Sequence, residues 1–281
     1  RVRARMQVDA ATASTARAVI DLEGRTGEPI APWLQRSSLQ PDPAARVSGR
    51  LWVNLAETGA IRLTADLEAQ SLGLFDGGIE SLSLLARADW QDGRWAGQIQ
   101  PQALTQADGP GPVPGPIAFA RGTDGGWRLA LSDTPLEPLA PLLRRRIDAP
   151  VTLDGQARRA TLVWRDASDW RLTADLAGVG VSGWPPGLAG RQADLQVEAG
   201  PQGGQVVVDQ LQLQRIEPGG EALLRRPVQV AVTGGRLQWS RSGPEAWWLS
   251  LGDVQGRFDG APVRLEGRLE QRAGQTPRVD V

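Results

Sequence analysis

The stretch Trp170-Arg-Leu-Thr-Ala-Asp-Leu176 alternates apolar and polar residues without a break, the pattern of a strand that buries one face. Arg171 to Leu176 repeats, letter for letter, the run Arg62 to Leu67. The chain therefore reuses one strand design, and internal repetition organises the rest of the reading.

Hairpins follow one another along the chain. Val47, Leu51, Val53 and Leu55 share one face; Glu57 to Ala60 turns; Ile61, Leu63, Ala65, Leu67 and Ala69 return on the same parity. A second hairpin rises through Leu82, Leu84, Ala86, Ala88 and Trp90 and returns through Trp95, Gly97 and Ile99. Its Asp92-Gly93 predicts a type I′ turn, which needs positive φ at both central residues. A third carries Ile117 and Phe119 up and Trp127, Leu129 and Leu131 back, and a fourth pairs Leu162 and Trp164 with Trp170, Leu172 and Leu176. The fifth uses Ala193, Leu195 and Val197, then Val206 to Leu213, where the parity change between Val208 and Leu211 predicts a bulge. In the sixth, Val228, Val230 and Val232 lead through Gly234-Gly235 to Leu237 and Trp239, with Trp247, Leu249 and Leu251 after the turn. Val263, Leu265 and Leu269 form a closing strand.

The hairpin turns recur about 37 residues apart on average, as in solenoids and extended sheets. Before them, Arg1 to Asp9 and Ala16 to Gly24 are weakly strand-like, and Pro29 to Leu34 reads as a turn. Residues 108–116, rich in Pro and Gly, are expected to stay out of any ladder. They separate a first repeat group, 1–107, from a second, 117–281. One short helix is expected from the capping box Thr134-Pro-Leu-Glu137, running towards Arg144, Arg145 and Arg146.

Missing residue types exclude much chemistry. The 281 residues contain no His, Cys, Tyr or Lys. That removes a Ser-His-Asp triad, a thiolate nucleophile, a Schiff-base lysine and any His or Cys metal site; no cofactor is expected. With a net charge of −1 and no long basic cluster, nucleic-acid binding has little electrostatic support. No run of about 18 apolar residues is present to span a bilayer as a helix. The chain begins at Arg1 with no signal segment and reads as a piece of something longer.

Each strand has an apolar face, yet one short helix cannot cover a dozen of them. The face must be covered by the sheet itself, as a barrel, sandwich or trough, or by something that is not protein.

Several motifs bear on that choice: Gly49-Arg-Leu-Trp-Val-Asn-Leu55 followed by Ile61 to Leu67; Trp127 to Asp133 running into Leu136 to Leu143; Trp184-Pro-Pro-Gly-Leu-Ala-Gly190; and Arg226 to Val230 leading to Gly235 to Trp239 and Trp247 to Leu249. In order and spacing the chain resembles the repeat region of the AsmA-like family, YhdP branch, whose members are similar to bridge-like lipid-transfer proteins. The resemblance implies an all-β fold: an extended, strongly twisted antiparallel sheet of repeated hairpins curled into a U-shaped apolar groove, with one or two short helices. It also implies a periplasmic protein, tethered to the inner membrane, that shelters phospholipid acyl chains on their way between the inner and outer membranes of Gram-negative bacteria. Membrane contact would be made through parts of the full-length protein missing here.

Strand parity then nominates the groove lining: Leu51, Val53, Leu55, Ile61, Leu63, Leu67, Leu84, Trp90, Ile117, Phe119, Trp127, Leu129, Leu131, Leu162, Trp164, Trp170, Leu172, Leu176, Leu195, Val197, Val230, Leu237, Trp239, Leu249, Leu251, Val263 and Leu265. Arg144, Arg145 and Arg146 are candidates for headgroup or membrane contact. Two rivals stand beside this reading. A carbohydrate-binding β-module predicts Trp residues in a row on an outer face, and a closed structural β-repeat predicts a filled, dry core.

Overall fold

The computed structural model describes residues 3–12, 15–25, 46–71, 79–106, 109–137, 152–182, 188–216, 228–243, 246–272 and 278–280. The chain divides into two units, Arg1–Ala130 and Leu131–Val281. Both are antiparallel β-sheet throughout, and among the described residues there is no α-helix.

The first unit holds β1 (Arg3–Thr12), β2 (Thr15–Arg25), β3 (Arg46–Ala56), β4 (Ile61–Gln70), β5 (Ile79–Gln91), β6 (Arg94–Gln106), β7 (Gly109–Pro110) and β8 (Ile117–Arg121). From β1 to β6 each strand pairs with the next, and β6 then receives β7 and β8. The hairpin turns follow the expected chemistry. Asp92 and Gly93 have φ of 51° and 75°, the two positive values of a type I′ turn. A strand β9 (Trp127–Pro135) begins in this unit and ends in the next.

The second unit continues with β10 (Thr152–Trp164), β11 (Trp170–Ser182), β12 (Leu188–Gly200), β13 (Gly203–Ile216), β14 (Val228–Arg241), β15 (Trp247–Phe258), β16 (Ala261–Gln271) and the short β17 (Arg278–Asp280), each from β10 onward paired with its successor. The duplicated six-residue run is strand in both places, inside β4 and inside β11. Asp259 and Gly260, at φ of 47° and 83°, make a second Asp-Gly turn of the same kind between β15 and β16.

One expectation is extended and two are corrected. The weakly patterned start of the chain is a full hairpin, β1 with β2. The Pro/Gly-rich stretch does touch a ladder: Gly109–Pro110 pairs with Thr105 and Gln106. The adjoining bond is donated by the Gly111 amide to the Leu104 carbonyl at 2.9 Å, so no proline donor is required. The capping box is not formed, because Thr134 and Pro135 complete β9 and the Thr134 hydroxyl donates to the Ser132 carbonyl at 3.1 Å. The remainder of that expected helix, including Arg144, Arg145 and Arg146, lies outside the described residues, as does Pro29 to Leu34.

A line of register shifts crosses the second unit. Shifts fall after Ala157, Leu176, Asp194, Val232 and Leu251 in five of the six ladders from β10 to β16, the β13–β14 ladder shifting instead between Leu213 and Ile216. Each inserts a residue, so apolar positions change parity while staying on one face: Leu176 is followed by Val179, Val208 by Leu211, and Leu251 by Val254. Gly178 and Asp253 take left-handed φ of 60° and 51° to do this. The Asp194 carboxylate ties the line together, accepting from the Gly178 amide at 2.8 Å and the Gln210 side-chain amide at 3.2 Å.

Burial is thin. One cluster, in the second unit, joins Leu136, Leu153, Ala157, Val179 and Ala193, with Leu176, Leu195 and Leu211 packed against it. In the first unit Ala65, Ala69 and Leu104 are buried.

Candidate functional site: two apolar sheet faces

Directly opposed residues in an antiparallel ladder point to the same face, so the registers assemble rows that no single strand displays. In the first unit one row runs Leu55, Ile61, Trp90, Trp95; the next Val53, Leu63, Ala88, Gly97, Phe119; the next Leu51, Ala65, Ala86, Ile99, Ile117; and a fourth Gly49, Leu67, Leu84, Pro101. Ala16, Ala18, Ile20 and Leu22 of β2 extend these rows. Trp127, Leu129 and Leu131 alternate along β9 and are half-buried.

The second unit repeats the arrangement. Leu162, Leu172, Ala199, Gly204, Trp239, Leu249 and Leu269 form one row, and Ala160, Ala174, Val197, Val206, Leu237 and Leu251 the next. Leu176, Leu195 and Val208 lie along the bulge line. Beyond it Leu265 pairs with Val254, Val263 with Gly256, and Val230 with Phe258. Trp164 and Trp170 oppose each other at the turn. Every residue nominated for the groove and placed by these ladders thus falls on one face of its unit. Sequence parity missed Leu153, Val179, Val254 and Phe258, because each lies beyond a bulge from the alternation that was visible.

The two faces are open in part. Leu55 is 43% exposed, Trp164 41%, Leu251 41% and Leu265 49%. Aromatic rings lie across small residues of the neighbouring strand. A methyl placed on Gly97 would meet the Phe119 ring at 2.5 Å, and one on Gly204 would meet the Trp239 indole at 2.5 Å. Phe119 also sits 6.4 Å from Trp127, centroid to centroid.

Charge is distributed sharply. Among the residues that the ladders pair on the apolar faces, two are charged: Arg121, opposite Trp95, and Arg241, opposite Trp247. The opposite faces carry cross-strand ion pairs: Arg50 to Asp21 at 2.8 Å, Arg62 to Asp89 at 2.7 Å, and Arg159 to Asp175 at 3.4 Å. The hydrogen bond to Asp21 holds the Arg50 guanidinium above its ordinary pKa. At the edge of the second unit the Arg272 hydrogen bond, with help from the charge of Arg268, holds Glu270 below the usual carboxylate range. These outer faces also hold Trp52, with the Arg50 guanidinium 5.8 Å from its ring, and Trp248, with Arg268 at 5.1 Å. Among the described residues they are single, one in each unit, and form no row; Trp90, Trp164, Trp170 and Trp239 are on the apolar side.

Among the described residues no group of three or more Asp or Glu is placed to hold a metal ion, and no helix is long and apolar enough to cross a membrane. A concavity of about 530 Å³ at the ends of β2 to β5 is lined by both faces, including Leu55, Ile61, Trp90, Arg62 and Asp89. Comparison with protein-family models, with curated proteins and with solved structures finds no match.

Proposed function

We propose that this chain is a segment of a periplasmic bridge-like lipid-transfer protein, in which the apolar sheet faces shelter phospholipid acyl chains between the inner and outer membranes. The observation that carries the reading is the pair of multi-strand apolar faces, part-exposed at Leu55, Trp164, Leu251 and Leu265, with no helix among the described residues to cover them. Contiguous exposed apolar surface on this scale marks a place where something apolar binds.

The chemistry required is slight. Each methylene exposed to water costs about 0.8 kcal/mol, so a tail of ordinary length crossing bare solvent faces a barrier on the order of 10 kcal/mol. A continuous apolar surface lowers that barrier without making or breaking a bond. An apolar wall distinguishes tails weakly, so selectivity among chain lengths is broad. The carbohydrate reading is disfavoured because, among the described residues, the outer faces hold one Trp in each unit, Trp52 and Trp248, each beside a guanidinium.

The test is native mass spectrometry of the purified chain with extraction of whatever it carries. Copurifying phospholipid, reduced when Leu172 or Leu129 is changed to Asp in a variant that stays folded, supports the reading. A folded, lipid-free chain that also takes up no labelled phospholipid overturns it and leaves a closed structural β-repeat.

A further inference from the structure

We propose that Arg121 in the first unit and Arg241 in the second hold the phosphodiester of a lipid whose tails lie along the apolar rows, seating each headgroup at the hairpin-turn rim. The inference rests on the lipid reading above and adds to it an orientation and a preference for an anionic headgroup.

Position is the first ground. Both arginines are the last residues of their strands before a turn, and both belong to the apolar face by register, opposite Trp95 and Trp247. Elsewhere along the ladder rows that face is free of charge. A guanidinium is tolerated there because the long stem lies on apolar surface while the head reaches water at the rim. The Arg121 guanidinium lies 5.5 Å from the Trp127 ring centroid, and the Arg241 guanidinium donates to the Gly243 carbonyl at 3.0 Å.

Charge is the second ground. Neither arginine has an ion-pair partner among the described residues. On the outer faces, by contrast, Arg50, Arg62 and Arg159 are neutralised by carboxylates of the adjacent strand. Among the residues that the ladders pair, one exposed cation on each apolar face, Arg121 over the Trp127 ring and Arg241 opposite Trp247 in register, complements a ligand with one anionic group and a long apolar body. The planar fork of Arg suits two oxygens of a phosphodiester, and indole suits the boundary between polar and apolar regions.

Length agrees. From Trp90 to Leu82 the apolar face of β5 continues for about 26 Å at the rise of a strand, longer than the roughly 15 Å of hydrocarbon in one bilayer leaflet. A tail anchored at the rim therefore meets apolar surface along its whole length.

The test offers the delipidated full chain dioleoylphosphatidylglycerol, dioleoylglycerol or oleate from detergent micelles, with bound species counted by native mass spectrometry. Wild type is expected to retain the phospholipid over the neutral diacylglycerol by about tenfold per site. R121Q/R241Q should lose that preference yet still bind both, and R121K/R241K should recover only part of it. The single Gln variants, each expected to lose the preference at one site, carry the test if the double variant misfolds. Equal retention of phospholipid and diacylglycerol by wild type overturns the headgroup assignment while leaving the lipid reading intact; binding of no lipid at all removes both. Oleate retained as well as phospholipid overturns the phosphodiester assignment, as does displacement of the phospholipid by millimolar inorganic phosphate.

Discussion

Truncating Leu251 separates an open apolar face from a closed core. Leu251 and Leu153 both lie in the second unit, at 41% and 9% exposure. Full burial of a leucine is worth about 1.5–3 kcal/mol, and truncation in a packed interior also leaves a cavity, bringing Leu→Ala to about 2–5 kcal/mol. Leu153, inside the buried cluster, should follow the second figure, at about 3 kcal/mol. Leu251, with two-fifths of its surface already in water and no packed layer to leave a void in, should cost about 1 kcal/mol. Urea unfolding of the delipidated chain measures both, and because the two positions share a unit they report on the same transition. If Leu251→Ala costs as much as Leu153→Ala, the face is covered by protein and its openness is refuted. Adding phospholipid then serves as a second reading: a bound tail should stabilise wild type more than Leu251→Ala.

Two further outcomes test local features. A side chain at Gly204 would meet both the Glu198 backbone carbonyl and the Trp239 indole, so Gly204→Val must shift the ladder as well as the ring; a cost of about 1–3 kcal/mol and a changed near-UV dichroism are expected, and an unchanged spectrum would show that the ring does not lie there. Asp166, in the turn between β10 and β11, is held below the usual carboxylate range, chiefly by the Ser168 hydroxyl and amide at 2.6 and 2.7 Å and also by the Asp169 amide. A depressed folded-state pKa means its contribution is present above the ordinary Asp pKa and is lost as pH falls through the depressed value. Protection of the Ser168 and Asp169 amides from exchange should therefore persist to a pH below the ordinary range and then drop, and Asp166→Ala should lack it at every pH.

Much of the architecture was legible because hairpins are local. An alternating arm, a two-residue Asp92-Gly93 turn and a second alternating arm specify one another within about twenty residues, and the ladder from Trp90–Trp95 inward follows. The parity change between Val208 and Leu211 was legible for the same reason. What did not read out was anything that depended on a strand's second neighbour. The bulge at Ala177-Gly178 is placed by β12, whose Asp194 carboxylate takes the Gly178 amide, and nothing in the alternation of β11 announces it. Thr134-Pro135 carried a helix-start signal, but the strand into which they were drawn prevailed; weak propensity yields to tertiary pairing.

By itself, the amino-acid order determined that this chain is antiparallel sheet with one apolar and one polar side to each strand, and that no thiolate, imidazole or amine chemistry is open to it. Tertiary structure decided which residues share a face across strands, that among the ladder-paired residues each face carries one arginine, at the rim, and that Leu153 is buried where Leu251 is not. The division has a physical cause. Side-chain alternation is set by the geometry of one strand, whereas rows, bulges and coverage are set by register between strands, and a slip of one residue there exchanges every inward side chain for an outward one.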